Sequence, residues 1–308
     1  MKNINKKLTV TIAIPAFNEE ANIACVLNEI ISQDVSDFEL EKIIVLTDGC
    51  TDKTVEQVLP LTKKNKKIKL ISFNKRLGKV MRLNQIYKLN KSEVLIIFDG
   101  DISIKDKHLI EKVAKTFNKD PKALVIAIHQ VPIKPTTFIG KAIYAGYDFW
   151  DRSRLSIKNQ DHIQNLYGAA TAYRKSFVKT FKFPKDITDD RGYLYIKAKE
   201  QNGFRYLKST QIFYLPVSTL QDFWKLGDRS FGKNKEVLKK YFGDEVDKMY
   251  EIPLKNKLIA IIQVIFNSPV YGFTGLILNV LTRIFPQHDK LYKSKMWEIS
   301  LSTKQQIK

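Results

Sequence analysis

Four short stretches carry residues whose types and spacing can do chemistry. In Phe98-Asp99-Gly100-Asp101 two carboxylates flank a glycine that relieves a turn. Such a pair can converge on one hard cation, and Mg2+ or Mn2+ takes oxygen ligands while keeping sites for phosphate oxygens. In Thr188-Asp189-Asp190-Arg191-Gly192 adjacent carboxylates repel, so one needs a partner or a cap and the other is free to act as a base. An acid-rich helix N-terminus, favoured by the macrodipole, explains the same pair. In Thr47-Asp48-Gly49-Cys50-Thr51-Asp52, Gly49 permits a tight turn, Asp48 can accept hydrogen bonds from a base N–H or a ribose hydroxyl, and Asp52 reads as a helix cap. In Ile14-Pro15-Ala16-Phe17-Asn18-Glu19-Glu20, Pro15 ends strand pairing and Asn18 can cap a helix; in the functional reading, the loop backbone with Glu19 or Glu20 surrounds a nucleotide.

The elements that must position these stretches follow from hydrophobic pattern. Leu8–Pro15, Lys42–Leu46, Ile68–Phe73 and Val94–Phe98 read as strands. They alternate with helical spacing in Glu20–Ser32, in the segment carrying Val55, Val58 and Leu59, and in Lys79–Leu89. Apolar strands alternating with helices predict a parallel sheet covered on both faces, a Rossmann-like α/β half. The four stretches then fall at or beyond the carboxyl ends of strands, where open α/β sheets hold ligands. Beyond residue 105 the pattern gives a helix at Leu109–Phe117, a strand at Leu124–His129, breaks at Pro132 and Pro135, a mixed aromatic-rich region and a helix-like Tyr193–Asn202. Residues 1–225 are expected to form the catalytic domain and 226–308 a helical region.

In order, IPAFNEEANI, TDGCTDKT, LGKVMRLN, FDGD, GAATAYRKS and TDDRGYLYIKAKEQNGFRY resemble a family 2 glycosyltransferase with the GT-A fold, from Thr9 to Tyr206. The resemblance implies a Rossmann-like, mainly parallel sheet flanked by helices, and an inverting, nucleotide-sugar-dependent transfer. It implies that Pro15, Ala16, Asn18 and Glu19 line the nucleotide site, that Asp48 contacts the base, commonly uracil, and that Lys79 lies near the nucleotide. Asp99 and Asp101 match the metal motif, with Asp101 the direct ligand of Mn2+ or Mg2+. Gly168 and Ala169 match a turn near acceptor and donor sugar, and Asp190 matches the catalytic base, with Asp189 in place of the family's glutamate. Arg229 or Lys233 is expected to assist from the loop after Trp224. The processive synthases' Gln-x-x-Arg-Trp motif is reduced to the arginine of Leu226-Gly227-Asp228-Arg229-Ser230, and several long transmembrane helices are lacking, so single additions are expected. No Gly-x-Gly-x-x-Gly is present, which disfavours a dinucleotide oxidoreductase.

Composition bounds the partners. Of 308 residues 44% are hydrophobic, enough for a sizeable core, and the formal net charge of +20 favours anionic partners. Without zinc-finger spacing, an RNA-binding aromatic signature or an arginine-rich helix, nucleic acid is not expected. Two cysteines, Cys25 and Cys50, define no disulfide framework and point to a reducing compartment, and no secretion signal is read. From Leu258 to Thr282 no residue is charged, and Lys255, Lys257, Arg283, Lys290, Lys293 and Lys295 flank the run. Asn267, Ser268, Pro269, Gly272 and Gly275 interrupt it, so an interfacial or re-entrant helical hairpin fits better than a simple span; a buried helix pair is the other reading. The expectation is an enzyme at the cytoplasmic face of the cell membrane, acting on a glycan or lipid-linked acceptor. Tyr144, Tyr147, Phe149 and Trp150 would stack on a sugar or lipid, or fill a core. His108, His129, His162 and His288 are scattered and read as no metal set. A non-catalytic membrane-associated scaffold and a nucleotidyltransferase are the competing readings; the latter lacks a glycine- and arginine-rich loop after the first strand.

Overall fold

Alternating apolar residues give the first half its sheet. In the computed structural model, which describes residues 7–187, 189–231, 233–285 and 300–307, strands β1 (Leu8–Ala16), β2 (Phe38–Asp48), β3 (Ile68–Phe73) and β4 (Val94–Phe98) alternate with helices α1 (Ile23–Ile31), α2 (Thr54–Lys64) and α3 (Lys79–Leu89). Next come β5 (Ile102–Ser103), α4 (Leu109–Lys119), β6 (Val125–Pro132), α5 (Phe138–Leu155), β7 (Ala170–Arg174), α6 (Lys175–Val178), α7 (Asp190–Lys199) and β8 (Phe204–Tyr214). The chain ends in α8 (Leu220–Phe231), α9 (Lys233–Phe242), α10 (Glu245–Met249), α11 (Leu254–Asn267), α12 (Pro269–Ile284) and the stretch 300–307.

The sheet runs β3-β2-β1-β4-β7-β6-β8-β5. Successive side chains of a strand face opposite sides. Ile12, Ile14, Ile96 and Phe98 therefore join α1 and α4 in one core, while Ala13, Ile44, Leu46, Leu95 and Ile97 join α3 and α7 in the other. The expected mainly parallel sheet needs correction to a mixed one. β1 to β4 pair in parallel, and so do β6 and β8, but β7 runs antiparallel to both β4 and β6, and β5 antiparallel to β8. The reversal matters for function. Phe98 pairs with Ala170, so the turn that leads into β7 is brought to the carboxyl end of β4.

The uncharged run is not one apolar helix. Ser268 breaks it, and Pro269 starts α12 at a position that tolerates proline. Among the described residues no helix is long and apolar enough to cross a membrane. Both helices pack on α5, where a Cβ at Gly275 would run into the Ala142 carbonyl and one at Gly146 into the Asn279 amide. Ala260, Val264, Gly272, Gly275, Leu278 and Asn279 are buried there, while Ile262, Phe266, Phe273 and Ile277 face outward. The boundary expected at 225/226 falls inside α8, which is continuous from Leu220 to Phe231. The flanking Lys290, Lys293 and Lys295, with His288, lie outside the described residues.

Candidate active site

A cleft of about 720 Å³ opens at the carboxyl ends of β1, β2 and β4. Pro15, Ala16, Glu19, Asp48, Lys79, Asp99, Asp101, Gly168, Ala169, Asp189 and Asp190 all line it. The structure thus brings together eleven of the residues singled out in the sequence. Asn18, at φ 53°, turns aside instead and ties two loops, its amide donating to Thr51 Oγ1 at 3.0 Å and accepting from Thr51 N–H at 2.9 Å. Arg229 lies in α8; its side chain, like that of Lys233, is outside the described residues, as is Thr188.

The last residue of β2, Asp48, is 4% exposed and heavily bonded. Its Oδ1 accepts from Leu77 N–H and from Arg82 Nε, both at 2.7 Å, and its Oδ2 accepts from Gly78 N–H at 2.8 Å. Asp48 therefore fixes the loop before α3, which Gly78 enters at φ 90°. One lone pair of Oδ2 is left for a ligand N–H or hydroxyl. From the first residue of α3, Lys79 Nζ reaches Asp99 Oδ1 at 2.5 Å and the Gly168 carbonyl at 3.1 Å. The Asp99 N–H donates to the Ala169 carbonyl at 2.9 Å, closing the turn before β7 onto the end of β4. A side chain at position 100 would meet Glu19 Cγ at 2.7 Å, so glycine keeps the β1 loop close to the two aspartates.

At the other wall, the consecutive acids of α7 divide their tasks. Asp189 caps the helix, accepting from Gly192 N–H at 3.2 Å, and also binds Arg191 at 3.3 Å and the Tyr250 hydroxyl at 3.2 Å. Asp190 is 5% exposed, and among the described residues its carboxylate accepts no hydrogen bond. Burial pushes it above the usual carboxylate range, with Lys79 and Arg191 pulling it down and Asp189 and Asp99 adding to the rise. A carboxylate made more basic in this way is suited to taking a proton.

The donor set fits a divalent cation. Asp99, Asp101 and Glu19 offer hard oxygen ligands on neighbouring loops, and Glu19 Oε2 is buried with no hydrogen-bond partner among the described residues. Burial, reinforced by Asp101, pushes the Glu19 carboxyl up to about 8. Among the described residues no group of three or more His, Cys, Asp or Glu side chains is placed to hold a metal ion by itself. Mg2+ and Mn2+ need none when one or two carboxylates and substrate phosphates share the ion.

The far side of the cleft is walled by α5, α8 and α12, through Tyr147, Trp150, Arg154, Phe223, Asn279 and Thr282. Of the aromatic group in α5, Tyr147 and Trp150 face the cleft, whereas Phe149 packs on Ala260 and Val264. Trp150 Nε1 donates to Asn279 Oδ1 at 2.9 Å. Sequence reasoning missed Arg82, which shares a helical face with Leu83, Ile86 and Tyr87 and so could have been read as buried. It also missed Lys304, whose ammonium lies against Glu19 and Asp101; no local pattern marks it.

The family model described as Glycosyl transferase family 2 matches residues 11–181. Poly-beta-1,6-N-acetyl-D-glucosamine synthase of Staphylococcus aureus (strain COL) is 21% identical over 254 residues, so the chain aligns over 81% of its own length but only 60% of that relative's. Among solved structures, the mannosyltransferase PcManGT from Pyrobaculum calidifontis in complex with GDP-Man and Mn2+ superposes with a TM-score of 0.62 at 14% identity, covering 93% of this chain and 89% of that one. S. aureus TarS 1-349 in complex with UDP superposes with a TM-score of 0.52 at 14% identity, covering 92% and 93%. These likenesses make the fold GT-A-like.

Proposed function

The chain belongs to glycosyl transferase family 2, and on that premise we propose that it moves a hexosyl or N-acetylhexosaminyl group from a UDP-sugar to a lipid-linked acceptor, one sugar at a time and with inversion. The observation that carries this reading is the convergence of Asp48, Lys79, Asp99, Asp101 and Asp190 on one cleft. Asp48 and the loop it fixes receive the nucleoside. Lys79, held by Asp99 and the Gly168 carbonyl, presents a positive charge towards the donor. Bound at Asp101, with Asp99 and Glu19 beside it, Mn2+ or Mg2+ supplies neutralisation of the charge that builds on the departing diphosphate. Asp190 takes the proton of the acceptor hydroxyl as that oxygen attacks the anomeric carbon, from the side opposite the leaving group. A buried carboxylate repels a phosphate nucleophile, so Asp190 favours a hydroxyl over a phosphate acceptor.

The lipid-linked acceptor and the cytoplasmic membrane face are supported by the α11–α12 hairpin. Its inner residues Asn279 and Thr282 line the cleft, and its outer face carries Ile262, Phe266, Phe273 and Ile277 in the open. Lys255 and Lys257 in the first turn of α11 and Arg283 in the last turn of α12 put positive charge at the two ends of the hairpin, which suits a helix pair lying on anionic lipid. GDP-mannose is the second donor reading, favoured by the likeness to a mannosyltransferase crystallised with GDP-Man. A purely scaffolding role would leave a buried acid, Asp190, at the cleft without a task.

The reading is tested by incubating the protein with labelled UDP-sugars and GDP-mannose, Mn2+ and a membrane lipid extract. Label entering the lipid phase with inverted anomeric configuration is expected. Donor consumption without lipid labelling assigns a soluble acceptor, and no consumption of any donor overturns the enzymatic reading.

A further inference from the structure

The stretch 300–307 lies across the donor end of the cleft, which Ser300, Thr303 and Lys304 help to line. It is strapped down at buried polar groups. The Ser302 N–H and hydroxyl both donate to Asp222 Oδ2, at 3.0 and 2.6 Å. The Asn22 amide donates to the Gln305 carbonyl at 2.8 Å and accepts from Ile307 N–H at 2.9 Å. Asn22 is 2% and Asp222 5% exposed, so the strap satisfies groups that water scarcely reaches. Between these anchors the Lys304 ammonium bonds Asp101 Oδ2 at 2.8 Å and also pairs with Glu19 Oε1.

We propose that Lys304 is a resident counter-cation of the donor site, which a divalent metal must displace from Asp101 and Glu19, so that the C-terminal strap sets the metal affinity. The inference rests on reading Asp101 as a metal ligand. An ammonium and a metal ion compete for the same carboxylate lone pairs, and two cations a few ångströms apart in a partly buried site repel strongly. Metal alone therefore meets opposition. A nucleoside diphosphate removes it, because its phosphate oxygens give the displaced ammonium a new partner. Metal and nucleotide then bind as a linked pair, each raising the affinity for the other.

The test is Mn2+ binding to the protein of residues 1–308, by electron paramagnetic resonance, with and without UDP or GDP. Without nucleotide, Lys304→Met is expected to bind Mn2+ at least about tenfold more tightly than wild type, and nucleotide should strengthen its Mn2+ binding less. Should Lys304→Met fail to fold, Asn22→Ala, which loosens the strap and leaves both carboxylates in place, is expected to shift Mn2+ affinity in the same direction. Equal Mn2+ affinity in wild type and folded variant overturns the displacement inference and leaves the metal reading standing. No Mn2+ binding by any of them, with or without nucleotide, overturns the metal reading and this inference with it.

Discussion

Arg82 and Asp48 form a salt bridge at 2.7 Å with both side chains almost wholly withdrawn from solvent. The guanidinium also donates to the Lys75 carbonyl at 2.6 Å and to Gln85 Oε1 at 2.9 Å, and it lies 3.9 Å from the centre of the Phe73 ring. One buried pair thus joins the end of β2 to the first turns of α3 and holds the loop that presents Lys79. Removing one partner of such a pair leaves an uncompensated buried charge. Arg82→Met is expected to lower stability by about 3 kcal/mol. Urea unfolding checks it, and a loss below about 1 kcal/mol would show that the pair is dispensable.

Asp190→Asn keeps size and burial but cannot take a proton. Turnover is expected to fall by about 10²–10⁴-fold while the donor dissociation constant stays within about threefold. The wild-type pH profile carries the same information. Asp190 is raised above its ordinary 3.8 by burial, and a base works only when ionised, so kcat/KM should fall as pH drops through that raised value. Steady-state kinetics across pH, with calorimetry on the variant, check both. Wild-type turnover by Asp190→Asn would remove the residue from the base role.

Much of this arrangement is legible in the sequence, and the parts that are not share a cause. Ile68–Phe73, Lys79–Leu89 and Val94–Phe98 are read with the bounds the structure has, because a β-rich stretch broken only by Lys69 and Ser72, a helical face and a wholly apolar run leave little choice. Three of the four chemical stretches converge because β1, β2 and β4 end side by side; the fourth follows no strand end, contrary to expectation, and reaches the cleft at the start of α7. Strand direction has no such signature. Ala170–Arg174 lies in the mixed aromatic-rich region, and nothing in it says that it enters as a strand antiparallel between β4 and β6. The resemblance places Asp48 and Asn18 at the nucleotide; Asp48 lines the cleft and is also held by Arg82, whereas Asn18 turns to Thr51, through contacts 34 and 33 residues apart in sequence. Lys304, 203 residues from Asp101, is further beyond the reach of local patterns.

His162 is 4% exposed, and burial, with Arg154 nearby, depresses it from 6.5 to about 4. Its neutral form accepts the Gln164 N–H at 3.2 Å. The stability this contributes is fully present above about pH 6.5 and is lost as pH falls towards 4, where the unfolded chain binds the extra proton. The loss approaches about 3 kcal/mol across that window. Comparing urea unfolding of wild type and His162→Gln at pH 7.5 and 5 isolates it. The variant should lose less stability on acidification, and equal losses would acquit His162.

Phe266 is 85% exposed on the outer face of α11. Replacing Ile262, Phe266 and Phe273 together by serine should abolish sedimentation with vesicles containing anionic lipid and leave thermal stability close to wild type, since none of the three side chains is buried. Undiminished sedimentation would show that the hairpin's outer face does not meet the membrane.

The central claim is that the cleft binds a nucleotide through Asp101 and a divalent metal. Calorimetric titration of UDP and of GDP, each with Mn2+ and with EDTA, into wild type and Asp101→Ala tests it most directly. The expected result is that one nucleotide binds with Mn2+, and that EDTA or the substitution weakens binding at least about tenfold. Failure of the folded wild-type protein to bind either nucleotide with Mn2+ would contradict the donor site as described.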